Sequence, residues 1–159
     1  MHRVKRTSSY LLVVACLFLA AAGSLRTEWQ AEGSETVSSS AAAAPLNYEF
    51  FKTNVQPIFL AKRPGHARCI SCHARAGNNS AFRLEPLSPG STTWNEEESR
   101  KNFEALQRVI VPGNLMNRLL THPLAEQAGG DRFHNGGKHF NSQNDPEWQT
   151  LRAWVMGRE

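Results

Sequence analysis

The residues most able to do chemistry sit together at Cys69-Ile70-Ser71-Cys72-His73. Two thiols three positions apart, followed at once by an imidazole, form the CxxCH pattern of covalent haem attachment. The spacing has a physical reason: such cysteines subtend the two vinyl carbons on one edge of a porphyrin, and the next residue turns under its face toward the iron. The competing chemistries are a Cys69–Cys72 disulfide, a thioredoxin-like redox pair and a zinc site. A redox pair calls for a βαβ context that the flanking residues lack. Zinc needs a second ligand pair, and the other histidines form no HxxxH segment to supply it. One haem c, an iron cofactor held by Cys69, Cys72 and His73, is therefore the expectation.

The elements that must position this motif follow an unusual N-terminus. Arg3, Lys5 and Arg6 lead into the apolar run Tyr10–Ala22, which ends in the small residues Ala20-Ala21-Ala22-Gly23-Ser24. That order is the order of a secretory signal, and the run is shorter than the roughly 18–20 residues that span a bilayer. Residues 1–23 are expected to be a signal peptide or a short membrane anchor, with a lipid-modified Cys16 as a third alternative. All three place the rest of the chain outside the cytoplasm, in the periplasm. Without the three leading cations the 18 Lys and Arg fall to 15, against 14 Asp and Glu. A near-neutral body argues against nucleic acid as a partner, since neutralising phosphates takes a sustained cationic face. With Cys16 inside the apolar run, Cys69 and Cys72 are the body's only cysteines, which excludes a multi-bridge disulfide framework.

Residues 24–46 are rich in Ser and Ala and poor in large apolar side chains, as a flexible linker is. Residues 47–159 leave 113 positions for one modest domain, predicted to be all-α with 3–5 helices. Asn47 can cap a helix carrying Phe50, Phe51, Val55 and Ile58, with Pro57 kinking or ending its last turn. Asn95 with Glu96, Glu97 and Glu98 reads as a capping box, followed by Phe103, Leu106, Val109 and Ile110 at helical spacing until Pro112-Gly113. A short helix is expected from Asn114 through Leu119 and Leu120. The last helix opens at Asp145-Pro146 and presents Trp148, Leu151 and Val155, with Trp154 beside them. The loops at 74–93 and 123–144 are too long and glycine-rich for a domain held by its own aliphatic core. A bound group should fill its centre.

From about Asn47 to Gly157 the chain resembles a monohaem class I-type cytochrome c domain. It is similar to the form in exported planctomycete and acidobacterial proteins, where a histidine-glycine-glycine segment replaces the usual methionine-proline loop. The carrying pieces are the Phe50-Phe51 helix, the CISCH motif, the segment 112–120, the segment HNGG at 134–137 and the final helix at 148–155. The resemblance implies a cytochrome c-like fold whose first and last helices cross. It also implies a distal iron ligand about sixty residues beyond the haem-binding histidine. His134 lies 61 residues past His73, and Gly136-Gly137 after it would let the backbone approach a macrocycle closely. Met116, His122 and His139 are the alternatives, as is an open site. His66, His122 and His139 are otherwise read as loop residues that bond backbone or a haem propionate.

A second imidazole would lower the potential relative to a thioether and close the iron to small molecules. The leading function is a periplasmic one-electron carrier, free or as a subunit of a respiratory or photosynthetic membrane complex, with a redox protein as partner. Membrane contact would come only through the N-terminus or that complex. The alternatives are a haem enzyme or gas sensor with an open or labile distal site, and a structural subunit stapled by haem. Between Phe50 and Leu84 stand Lys52, Lys62, Arg63, Arg68, Arg75 and Arg83 without any acid. They are read either as a rim that steers an acidic partner or as one or two propionate-neutralising arginines among solvated charges.

Overall fold

The computed structural model describes residues 44–159; the proposed signal or anchor at 1–23 and nearly all of the linker lie outside them. Regular structure among the described residues is helical, with no strand and a single parallel bridge between Leu124 and Phe140. No helix among them is long and apolar enough to cross a membrane. Leu46 is buried, so the folded body takes in a residue just before the expected boundary.

The first helical stretch runs in three pieces: α1 (Tyr48–Phe50), a π segment (Phe51–Val55) and α2 (Gln56–Leu60). Asn47 caps it as expected, accepting from the Phe50 N–H. Pro57 neither ends nor breaks it. Proline lacks an N–H, and its ring would strike the carbonyl four residues back. The turn before it is widened, with the Gln56 N–H bonded to the Phe51 carbonyl, and the helix passes through to Leu60. Next come α3 (Cys69–His73) and α4 (Glu96–Gln107). Both bonds of the predicted capping box form, Asn95 and Glu98 each accepting at 2.9 Å from the other's N–H.

Helix α4 stops at Gln107, before the predicted end. The Val109 and Ile110 N–H groups both turn back to the Leu106 carbonyl, so Ile110 is buried while Val109 faces solvent. The short helix before Pro123 is α5 (Arg118–Thr121), which starts four residues later than expected. Asn117 explains the delay: its side chain accepts from the Val111 N–H and donates to the Val111 and Asn114 carbonyls, serving loop backbone in place of a helix. A 3-10 turn (Glu126–Ala128) leads to α6 (Pro146–Met156), where Asp145 accepts from the Glu147 and Trp148 N–H groups.

Helix α6 closes the body against the first stretch. The Phe51 and Trp154 rings lie 5.4 Å apart, and the Trp154 indole N–H donates to the Asn47 carbonyl at 2.9 Å. Trp148 donates to the Leu120 carbonyl at 3.1 Å, tying α6 to α5 as well. Trp94 belongs to this core, buried with its N–H on the Glu85 carbonyl.

Candidate haem-binding site

Helix α3 is little more than one turn. Arg68 enters it extended, and the Ala74 N–H closes it on the Ile70 carbonyl. Residues three apart on such a turn share a side, so Cys69 and Cys72 stand one above the other while Ile70 is buried in the core. Both thiols are free. Burial pushes the Cys69 thiol above its usual range, and the nearby Arg63 charge opposes that shift.

The loop after α3 is pinned back onto it. Asn78 donates to the Cys72 carbonyl at 2.6 Å, Arg83 donates to the Asn78 carbonyl, and the Leu84 N–H reaches the His73 carbonyl. This fold-back brings the Phe82 carbonyl within 2.8 Å of His73 Nδ1 and lays the Phe82 ring 4.3 Å from the imidazole. A carbonyl only accepts, so Nδ1 carries the hydrogen and Nε2 keeps a free lone pair. Burial lowers the His73 pKa, which favours the neutral ring.

His134 reproduces that arrangement on the other long loop. Its Nδ1 donates to the Gly137 carbonyl at 2.6 Å while the Gly137 N–H returns to the His134 carbonyl. Burial again lowers the pKa. The two imidazole centroids stand 6.4 Å apart with ring planes 27° from parallel. The donor chemistry fits an iron held by His73 and His134, since each ring has Nδ1 on a backbone carbonyl and Nε2 left as the donor. Among the described residues no three His, Cys, Asp or Glu side chains converge as a metal-ion site.

The other candidates occupy different surroundings. Met116 is 72% exposed. His122 packs 4.8 Å from the His134 ring; its Nδ1 bonds Asp131 at 2.8 Å, and Arg118 lies 3.2 Å from its Nε2. His139 is 8% exposed, its Nδ1 has no partner, and burial first, then the charges of His134 and Arg63, push its pKa down to about 4. His66 lies 5.1 Å from the His139 ring.

Gly136 and Gly137 have a tighter reason than approach to a macrocycle. A Cβ at Gly137, where φ is +85°, would lie 2.8 Å from His66 Nδ1, and one at Gly136 would lie 3.3 Å from His134 Cε1. The glycines make room for imidazoles. Lys138 and Asp131 are residues that sequence reasoning missed. The Lys138 ammonium bonds the His122 and Asp131 carbonyls, and the Asp131 N–H bonds the Thr121 carbonyl, so the loop is tied to the end of α5. No motif spacing marks such a brace. Asn78 could have been found from the turn-forming run Asn78-Asn79-Ser80.

The six cations divide. Lys52 pairs with Glu96, Arg63 with Glu147, and Arg83 bonds backbone, while Lys62, Arg68 and Arg75 are exposed around α3. Comparisons of the chain with protein families, with curated proteins and with solved structures return no match.

Proposed function

We propose that this chain is an exported c-type cytochrome that carries single electrons in the periplasm. It would hold one haem c through thioether bonds from Cys69 and Cys72, with His73 and His134 holding the iron, in a cytochrome c-like fold. The observation that carries the reading is the matched histidine pair. Two imidazoles, one ending α3 and one on the second long loop, each with Nδ1 anchored on a backbone carbonyl, stand 6.4 Å apart, and the chain offers two free thiols in the same turn as His73. Haem c, when bound, supplies a ferric–ferrous couple.

The chain's own part is to orient and to exclude. The Phe82 and Gly137 carbonyls fix the tautomer and rotation of the two rings, which raises their basicity as ligands. If both histidines held the iron, no position would be left for oxygen or peroxide, which would favour electron transfer over catalysis on a small molecule. Exposed Lys62, Arg68 and Arg75 beside the attachment helix suit an acidic redox partner, either soluble or part of a membrane electron-transfer complex.

Absorption and magnetic circular dichroism spectra of the purified protein test the proposal. A low-spin bis-imidazole haem, unchanged in its ferrous spectrum by carbon monoxide, is the expected result. Carbon monoxide binding would favour the enzyme or sensor reading, and absence of haem would end the proposal.

A further inference from the structure

Exposed apolar side chains gather on one loop. Of the large ones that face solvent among the described residues, Phe133 stands apart, while Val109, Val111, Leu115 and Met116 all lie between α4 and α5. Val111 is 60% exposed and Met116 72%. The loop that presents them is tied down. The Asn117 amide accepts from the Val111 N–H and donates to the Val111 and Asn114 carbonyls, and the Asn114 side chain accepts from the Met116 N–H. The Gly113 N–H bonds the Val155 carbonyl at 2.8 Å, fastening the loop to the last turn of α6. A knob ordered in advance loses little further conformational entropy on docking, as suits an interaction surface.

Helix α6 shows which end of the body this is. In its first turn Glu147 bonds Arg63, whose charge is felt at Cys69. Val155 stands about 12 Å further along the axis. Just past it, a Cβ on Gly157 would lie 3.0 Å from the Ala44 Cβ, so the chain arriving from the N-terminus joins the body beside the apolar loop and away from the attachment helix. Arg108 and Arg118 flank the knob, and no acid stands between Glu104 and Glu126 in the chain. Arg118 keeps 76% of its side chain in solvent, with Asp131 3.8 Å away.

Four side chains fall well short of the roughly 800 Å² per partner that a stable protein–protein interface buries, which disfavours a second copy of the chain. A lipid surface asks for less, because a few apolar side chains pass below the headgroups while cations meet anionic lipid. An anchor within residues 1–23 would make that contact intramolecular and so raise its effective concentration. We infer that this loop rests on an anionic membrane surface, with Val111, Leu115 and Met116 entering the interface and Arg108 and Arg118 meeting lipid phosphates. The contact takes residues 1–23 as a retained anchor and does not depend on haem. Its consequence for the function proposed above is orientation: the attachment helix is held off the bilayer, open to a redox partner.

Hydroxyl-radical footprinting of the purified full chain in vesicles, read by mass spectrometry, tests the contact, with Met116 as reporter and exposed Phe133 as internal reference. On vesicles of phosphatidylglycerol and phosphatidylcholine, Met116 labelling should be several-fold lower than on phosphatidylcholine alone, and Phe133 should be labelled alike on both. Val111→Ser with Leu115→Ser, and separately Arg108→Glu with Arg118→Glu, should each return Met116 toward its value on phosphatidylcholine. All four positions are exposed, so both variants should keep the parent's absorption spectrum and melt. Met116 labelled alike on the two lipids would place the knob in water and overturn the inference. Protection that grows with the number of chains per vesicle would assign the knob to a second copy and overturn it too, as would an intact mass showing residues 1–23 removed. Haem staining of the same sample on a denaturing gel keeps the two levels apart. Absence of covalent haem ends the proposed function and leaves this contact to be judged on Met116, whereas haem without protection of Met116 removes the membrane contact alone.

Discussion

Truncation of Leu151 to alanine tests whether α6 is the wall of this core. Leu151 is 2% exposed and lies on the same face as Trp148 and Trp154, three residues to either side. Both tryptophans are tethered, Trp148 to the Leu120 carbonyl and Trp154 to the Asn47 carbonyl. Neither can slide into a space left between them without breaking a buried hydrogen bond. Buried Leu→Ala changes cost about 2–5 kcal/mol, with the larger losses where the surroundings cannot collapse. With both neighbours tethered, the expected loss is about 3 kcal/mol. For a domain of this size that lowers Tm by roughly 10–18 °C. Urea melts of the haem-loaded variant and parent, with the slope checked for constancy, give the free energy. Val111→Ala, at a position 60% exposed, serves as the control and should stay within about 0.5 kcal/mol of the parent. A Leu151→Ala loss below about 0.5 kcal/mol would place that side chain at the surface and refute the packing argument.

Three further outcomes are expected. Cys69→Ala or Cys72→Ala should lower the yield of haem-loaded protein, and the double change should abolish haem retention on a denaturing gel; unchanged retention would contradict covalent attachment. His134→Ala should give a high-spin or carbon monoxide-binding haem and His134→Met a low-spin haem of higher potential, because thioether favours ferrous iron. His122→Ala and His139→Ala should leave the absorption spectrum nearly unchanged, and loss of the low-spin spectrum in either of these alone would reassign the ligand. Protein made in a host that lacks haem attachment should show reduced helicity and no cooperative melt, because two long loops then lose the group between them; a sharp native-like transition would show that the helices suffice.

Local rules were readable wherever partners lie within a few residues. Asn47, the Asn95–Glu98 box and Asp145-Pro146 mark helix starts because a cap and its N–H groups are neighbours in the chain. Helix ends were harder. Val109 and Ile110 continue the apolar period of α4, yet only Ile110 finds the core, and Asn117 holds loop backbone where a helix was expected to have begun. Pro57, expected to kink or end the last turn, does not end it: a widened turn accommodates it, because burying Phe51, Val55, Ile58 and Phe59 together favours keeping the stretch helical.

By itself the sequence determined the helical class, the caps and a CxxCH turn whose chemistry depends only on adjacent residues. It also raised His134 as the partner of His73 through a family resemblance, without any contact to support it. Only the tertiary structure decided that these rings stand 6.4 Å apart, that their Nδ1 atoms are taken by the Phe82 and Gly137 carbonyls, and that Arg63 and His139 keep unpartnered nitrogens in the interior. The physical reason is range. A cap or a CxxCH turn is closed by bonds across three or four residues, whereas His73 meets His134, and Arg63 meets Glu147, only after the two long loops have been folded back and tied by Asn78, Lys138 and Asp131. Such pairings depend on the path of the whole chain, which no residue spacing encodes.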